Sequence, residues 1–147
     1  MKKILSRNRT PLLLVLLSCI VVIAYFPGLH GPLVFDDTVH IVENPAVAID
    51  SLNYEDLKTA ALSNTSDILK RPLTELSFAL NYYAAGGVAN TFPYKITNLA
   101  IHIANTWLVY WLIQLLFNQL NLLSSPRDNS RPWLPLLMTA AWSLHPI

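Results

Sequence analysis

Residues 10–26 read TPLLLVLLSCIVVIAYF, an apolar run whose only polar interruptions past Thr10 are Ser18 and Cys19. A helix needs roughly 17–25 apolar residues to cross about 30 Å of hydrocarbon, so this run is at the short end for a span. Lys2, Lys3, Arg7 and Arg9 precede it. A basic start followed by an apolar run also opens a secretory signal peptide, but a cleavable one ends in small residues in an A-x-A-like pattern. Here the run ends Ala24-Tyr25-Phe26-Pro27. Bulky aromatics at that point predict an uncleaved anchor.

Two further apolar blocks lie downstream. Residues 96–117 are long enough to span alone at about 1.5 Å per residue. Tyr94 stands just ahead of the block, and Trp107, Tyr110, Trp111 and Phe117 fill its second half. Residues 133–147 follow Arg131-Pro132, and Pro132 and Pro135 mark a helix start because proline is tolerated in a first turn. That block barely spans. The expected fold class is therefore all-α membrane: three transmembrane helices, the third truncated, with a helical outer loop between the first and second.

Composition agrees. The chain of 147 residues is 53% hydrophobic and 13% charged, against about 25% charged in soluble domains, and its mean hydropathy is +0.40. This argues against a soluble enzyme and against disorder. A net charge of +1 gives a nucleic-acid partner no electrostatic support. Cys19 is the single cysteine, so neither a disulfide framework nor a Cys-based metal site is available.

Lys and Arg counts in short flanks set orientation. The N-terminal tail, residues 1–9, carries four, and the linker 118–132 carries Arg127 and Arg131. Segment 27–95 carries Lys58, Lys70, Arg71 and Lys95 against eight acidic residues. The expected topology is N-terminus in, 27–95 out, linker in and C-terminus out. That places the chain as a multi-pass protein in a bacterial inner membrane, or in the endoplasmic reticulum of a eukaryote.

The outer loop is long enough to expect function. Asn53 is a good N-cap before acidic first-turn residues, predicting a helix to about Leu62. Pro72 opens a second helix and Gly86-Gly87 end it. On it Leu73, Leu76, Leu80 and Tyr83 form one apolar stripe, suited either to packing on other helices or to the membrane surface.

Three groups of residues carry candidate chemistry. Asp36-Asp37 lies about ten residues past the first span, within Leu33-Val34-Phe35-Asp36-Asp37. Apolar flanks near a bilayer resist hydrating such a pair, so one carboxyl is suited to act as a base, or the pair to hold a divalent metal. The same pair also fits a solvated turn or a helix N-cap. Lys70 and Arg71 stand at the second helix's N-terminus, where guanidinium, dipole and backbone N–H groups face one anion. Acidic neighbours or lipid headgroups would satisfy them equally. Asn98, His102 and Asn105 make an intramembrane polar stripe at i, i+4 and i+7. Such groups normally face the bundle interior, as interhelical hydrogen-bond partners or around a wet cavity. His145-Pro146 closes the last segment on the outer side. There is no P-loop, dinucleotide fingerprint, H-E-x-x-H, G-x-S-x-G or internal repeat.

Five pieces stand in a fixed order along the chain. They are Phe35-Asp36-Asp37 with Ile41-Val42-Glu43-Asn44-Pro45, Arg71-Pro72-Leu73-Thr74 with Phe78-Ala79-Leu80-Asn81-Tyr82, Pro93-Tyr94-Lys95-Ile96-Thr97-Asn98-Leu99, His102 with Asn105, and Ala141-Trp142-Ser143-Leu144-His145-Pro146. Together they resemble the N-terminal part of multi-span membrane proteins with C-terminal tetratricopeptide repeats, whose best-known members are O-mannosyltransferases of the GT-C superfamily. The resemblance covers about residues 20–147. It implies a polyprenyl-phosphate sugar as donor, transfer on the outer face, and a hydroxyl acceptor on a protein or glycan. It also implies an acidic residue of the first outer loop as base or metal ligand, a motif that Asp36 and Asp37 match. The family's chains continue through more spans and the repeats. This chain is therefore expected to be an N-terminal portion that is inactive alone. The contrasting expectation is a small membrane scaffold without chemistry, or a decayed gene fragment.

Overall fold

The structure is a computed structural model that describes residues 9–63, 71–119 and 133–145. Lys70, the tail lysines and most of the 118–132 linker lie outside the described residues. All regular secondary structure among the described residues is helical, with no strand. Five α-helices follow one another: α1 (Arg9–Tyr25), α2 (Tyr54–Ala61), α3 (Pro72–Ala85), α4 (Phe92–Gln119) and α5 (Leu134–Ser143). Between α1 and α2 lie 3₁₀ turns at Phe26–His30 and Pro45–Val47 and a π-helical turn at Thr38–Val42.

Two helical stretches, Thr10–His30 and Phe92–Gln119, are long and apolar enough to cross a membrane. The second begins four residues ahead of the expected 96. Asn90 Oδ1 accepts the Phe92 N–H at 3.3 Å, and Pro93 sits in the first turn, where its missing N–H costs nothing. The third expected span, 133–147, is helical over only ten described residues, Leu134–Ser143, which is too short to cross alone.

The chain divides into two compact units, one formed by Met1–Phe26 with Leu99–Ile147 and the other by Pro27–Asn98. In the first, Leu14, Leu17 and Val21 recur at helical spacing and are buried, Val21 fully. Small residues on the other helices, Thr106, Thr139 and Ser143, are fully buried too. Small residues let helices approach closely in a membrane. The two threonine hydroxyls bond back to carbonyls four residues earlier, Thr106 to His102 at 2.9 Å and Thr139 to Pro135 at 2.8 Å, so no polar atom there is orphaned. Large apolar side chains elsewhere on α1 and α4 stay uncovered, Ile23 at 72% and Trp111 at 61%. Hydrocarbon accommodates such a surface; water does not.

The second unit is built as its punctuation predicts. Asn53 caps α2, its side chain accepting the Asp56 N–H at 2.8 Å. Gly86 ends α3 at φ 70, and the Gly87 N–H donates to the Tyr82 carbonyl at 3.1 Å. Val47, Ile49, Ala60 and Ala79 form its core, with Leu57 and Phe78 packed on it. Here the leucine stripe does not do what packing would require. Leu73 is 81% exposed, and Leu80 and Tyr83 are exposed as well. The inward face of α3 is instead Glu75 and Ala79, because a methyl at Ala79 lets α3 close on Ala60 of α2.

Candidate functional site

The acidic pair is presented by an irregular stretch of the Pro27–Asn98 unit. Phe35 has φ 54, a left-handed conformation that bulky residues rarely adopt, and its side chain is 90% exposed. The turn closes through Asp37 N–H to Val34 O at 3.2 Å and Thr38 N–H to Phe35 O at 3.1 Å. The π-helical turn follows at once, closed by the Glu43 N–H donating to Thr38 O at 2.9 Å. Turns of this kind are common at functional sites.

The two aspartates have different surroundings. Asp36 is exposed and meets no hydrogen-bond or ion-pair partner among the described residues. Asp37 is half-buried, and its Oδ2 accepts the Val34 N–H at 3.3 Å and faces Lys95 Nζ at 3.4 Å. Lys95 stands in the first turn of α4. The sequence marked it as one of four basic residues in the loop and as part of the Pro93–Leu99 piece; no local signal links it to a residue 58 positions earlier.

Arg71 is the N-cap of α3, at φ 28 and ψ 53. Its carbonyl accepts the Thr74 N–H at 2.9 Å and the Glu75 N–H at 3.2 Å, which fixes the start of a fourteen-residue helix. Lys70, its expected companion, falls outside the described residues. Among the described residues no three His, Cys, Asp or Glu side chains converge as a metal site. The aspartate pair supplies at most two carboxylates, one of them already facing Lys95. A divalent cation there would have to complete its shell with water and phosphate oxygens.

Glu75 was not a sequence candidate. It is 1% exposed, with Oε1 3.3 Å from His40 Nδ1 and Oε2 accepting from Asn44 Nδ2 at 3.3 Å. His40 follows Asp36 by one helical turn, and Glu75 follows Arg71 by one turn.

The intramembrane stripe is only partly as expected. His102 is half-buried, and its Nε2 lies 2.9 Å from the Ser143 carbonyl. Its ring packs 5.2 Å from Tyr25 and stacks 5.2 Å from Trp142. Asn98 and Asn105 are exposed, and the buried neighbours of His102 on α4 are Leu99 and Thr106. At 100° per residue those two lie on one side of His102 and the asparagines on the other, so the inward face is turned away from both asparagines. The His145 side chain is exposed, while its carbonyl accepts from the Tyr25 hydroxyl at 3.0 Å.

No family model and no solved structure matches the chain. It is similar to the protein O-mannosyl-transferase TMTC4 of Homo sapiens, 29% identical over 134 residues that cover 87% of this chain and 18% of the relative. It is also similar to the protein O-mannosyl-transferase TMTC4 of Mus musculus, 32% identical over 123 residues that cover 80% of this chain and 16% of the relative. The chain thus spans less than a fifth of the length of these relatives. The similarity, together with two span-length apolar helices, agrees with a membrane protein related to glycosyltransferases.

Proposed function

We propose that this chain forms the donor-facing part of a GT-C-type membrane glycosyltransferase, moving a sugar from a polyprenyl-phosphate carrier to a protein or glycan hydroxyl on the outer face. The observation that supports this reading is the similarity to O-mannosyl-transferases. A match over 87% of the chain has to include the loop with Asp36 and Asp37 and the helix start at Arg71.

The chemistry asks for a base and a cation. The acceptor hydroxyl has a pKa far above neutral, so a carboxylate must take its proton as the oxygen attacks the anomeric carbon. Exposed Asp36 suits that role. Asp37, facing Lys95 and bonded to the Val34 N–H, holds the turn in which Asp36 sits. As the bond from carbon to phosphate oxygen breaks, its electron pair leaves with the phosphate. Arg71 and the N-terminal end of α3 stabilise that growing charge, with Lys70 as a second cation. His102 serves helix packing in this reading.

The test is a chimera that continues this chain with the remainder of the human relative, assayed for transfer from a polyprenyl-phosphate sugar. Asp36→Asn should lower the rate by about 10²–10⁴-fold, and Arg71→Ala by about 10²–10³-fold. Near-normal turnover in Asp36→Asn and Asp37→Asn alike would make the acidic pair structural and remove the catalytic reading.

A further inference from the structure

We infer that Glu75 and His40 are positioning residues whose pairing, buried at the carboxylate, holds the turn bearing Asp36 and Asp37 in register with the helix start bearing Arg71. Their role in sugar transfer rests on the function proposed above; the link itself does not.

The argument begins with burial. A carboxylate removed from water is tolerated only where donors replace the lost hydration. Glu75 is 1% exposed, and each of its oxygens has one side-chain partner, His40 Nδ1 at 3.3 Å and Asn44 Nδ2 at 3.3 Å. Both partners come from the stretch that follows the acidic pair, and neither comes from α3 itself. Asn44 is held in turn: its Oδ1 accepts the Ala46 N–H at 3.1 Å, and its Nδ2 also reaches Ser63 Oγ at 3.1 Å. A single carboxylate on α3 therefore gathers the π-helical turn and the Asn44 turn. Sequence spacing does the rest. His40 lies four residues past Asp36, and Glu75 four residues past Arg71. Each end of the pair thus sits one helical turn from a residue the chemistry uses, so the pair fixes both ends at once.

A packing role predicts something different. Glu75→Gln preserves volume and removes charge, whereas Glu75→Asp keeps charge and shortens the side chain. If Glu75 only filled space, Gln would leave the distance between loop and helix unchanged.

The experiment labels Val39 and Leu73, both exposed, with nitroxides after Val39→Cys and Leu73→Cys in a Cys19→Ser background. Dipolar EPR of the protein in lipid nanodiscs then reads the distance distribution between loop and helix. The unsubstituted pair should give one narrow distribution. Glu75→Gln and the milder His40→Gln should each at least double its width, with the double variant no broader than either single one. Glu55→Gln, on exposed α2 surface, should leave it unchanged. Widths unchanged in both Glu75→Gln and His40→Gln would overturn the link. In the chimera, Glu75→Gln should lower kcat about tenfold and leave the donor KM within about twofold, the split expected when alignment rather than binding is lost. A broadened distribution with unchanged kcat would overturn the positioning role. If Asp36→Asn and Asp37→Asn were both silent in the same assay while the distribution still broadened, the catalytic reading of the acidic pair would fail and the link would stand.

Discussion

Lys95 Nζ lies 3.4 Å from Asp37 Oδ2, tying the acidic turn to the first turn of α4 across 58 residues of sequence. Both side chains keep between a fifth and a third of their surface in solvent, so screening limits the pair to about 0.5–1 kcal/mol. Its expected value lies in geometry. Asp37→Asn and Lys95→Met should lower transfer by similar factors, and the double variant should lose little more than either alone. Additive losses in the chimera's kcat would show that Asp37 and Lys95 act separately.

Phe35 presents a second measurable consequence. A bulky residue at φ 54 carries strain of about 1–3 kcal/mol, and an aromatic ring that is 90% exposed gains almost no burial in return. Glycine takes this conformation freely. Phe35→Gly should therefore be neutral to stabilising by up to about 1 kcal/mol in chemical unfolding, whereas removal of a phenylalanine from a core costs about 3–5 kcal/mol. Destabilisation beyond about 2 kcal/mol would mean that the ring is covered in the folded protein.

The local devices of this chain were legible in its sequence, and the long-range ones were not. Asn53 as a cap, Pro72 as a first-turn residue and Gly86 as a stop act through bonds within a few residues, and all three stand where the pattern placed them. The sequence left the leucine stripe of α3 open between packing and the membrane surface, because hydrophobicity was the only available guide to its inward face. That face turns on a carboxylate whose partners lie 31 and 35 residues earlier. Periodicity cannot report such a pair. The stripe on α4 was legible only in part: spacing put Asn98, His102 and Asn105 on one side, but phase is fixed by the neighbouring helices, and the buried edge runs through Leu99 and Thr106 with His102 beside it. The acidic pair was visible as a motif, yet nothing local distinguished Asp36 from Asp37 until Lys95 was found beside the latter.

Orientation is open to direct measurement. Four basic residues precede the first apolar run, Arg127 and Arg131 lie in the later linker, and the segment between carries a twofold acidic excess. Basic flanks are retained on the cytoplasmic side. Alkaline phosphatase fused after about residue 60 should be active, and fused after about residue 125 inactive. The reverse pattern would invert the topology and put the acidic pair on the cytoplasmic side.

The first helix should remain attached. A leader destined for removal has no reason to be built into the bundle, yet Val21 of α1 is fully buried and Ser18 Oγ accepts from Trp107 Nε1 at 3.0 Å. Intact mass of the purified protein should include the residues of α1. A mature chain beginning between about residues 25 and 32 would overturn the anchor reading and remove the Tyr25 contacts.

The end of α5 gives the most stringent check on how the membrane helices meet. The last carbonyls of any helix lack intrahelical donors, and hydrocarbon supplies none. Here the Leu144 and His145 N–H groups meet the Ala140 and Trp142 carbonyls, His102 of α4 reaches the Ser143 carbonyl at 2.9 Å, and just past the helix Tyr25 of α1 donates to the His145 carbonyl at 3.0 Å. A carbonyl only accepts, so His102 must carry its proton on Nε2. Interhelical hydrogen bonds in membranes are worth about 0.6 kcal/mol on average and at most about 1.7. His102→Leu should accordingly destabilise the protein in detergent by about 1–2 kcal/mol, the lost bond adding to the lost stacking on Trp142. Tyr25→Phe keeps its ring beside His102 and should cost less than about 1 kcal/mol. Asn105→Leu, on the exposed side of the same helix, should be neutral or stabilising, since it removes an amide from a lipid-facing surface. The ranking is the test. If Asn105→Leu is the costlier change, that side of α4 is covered by another helix in the folded protein, and the polar stripe points inward after all.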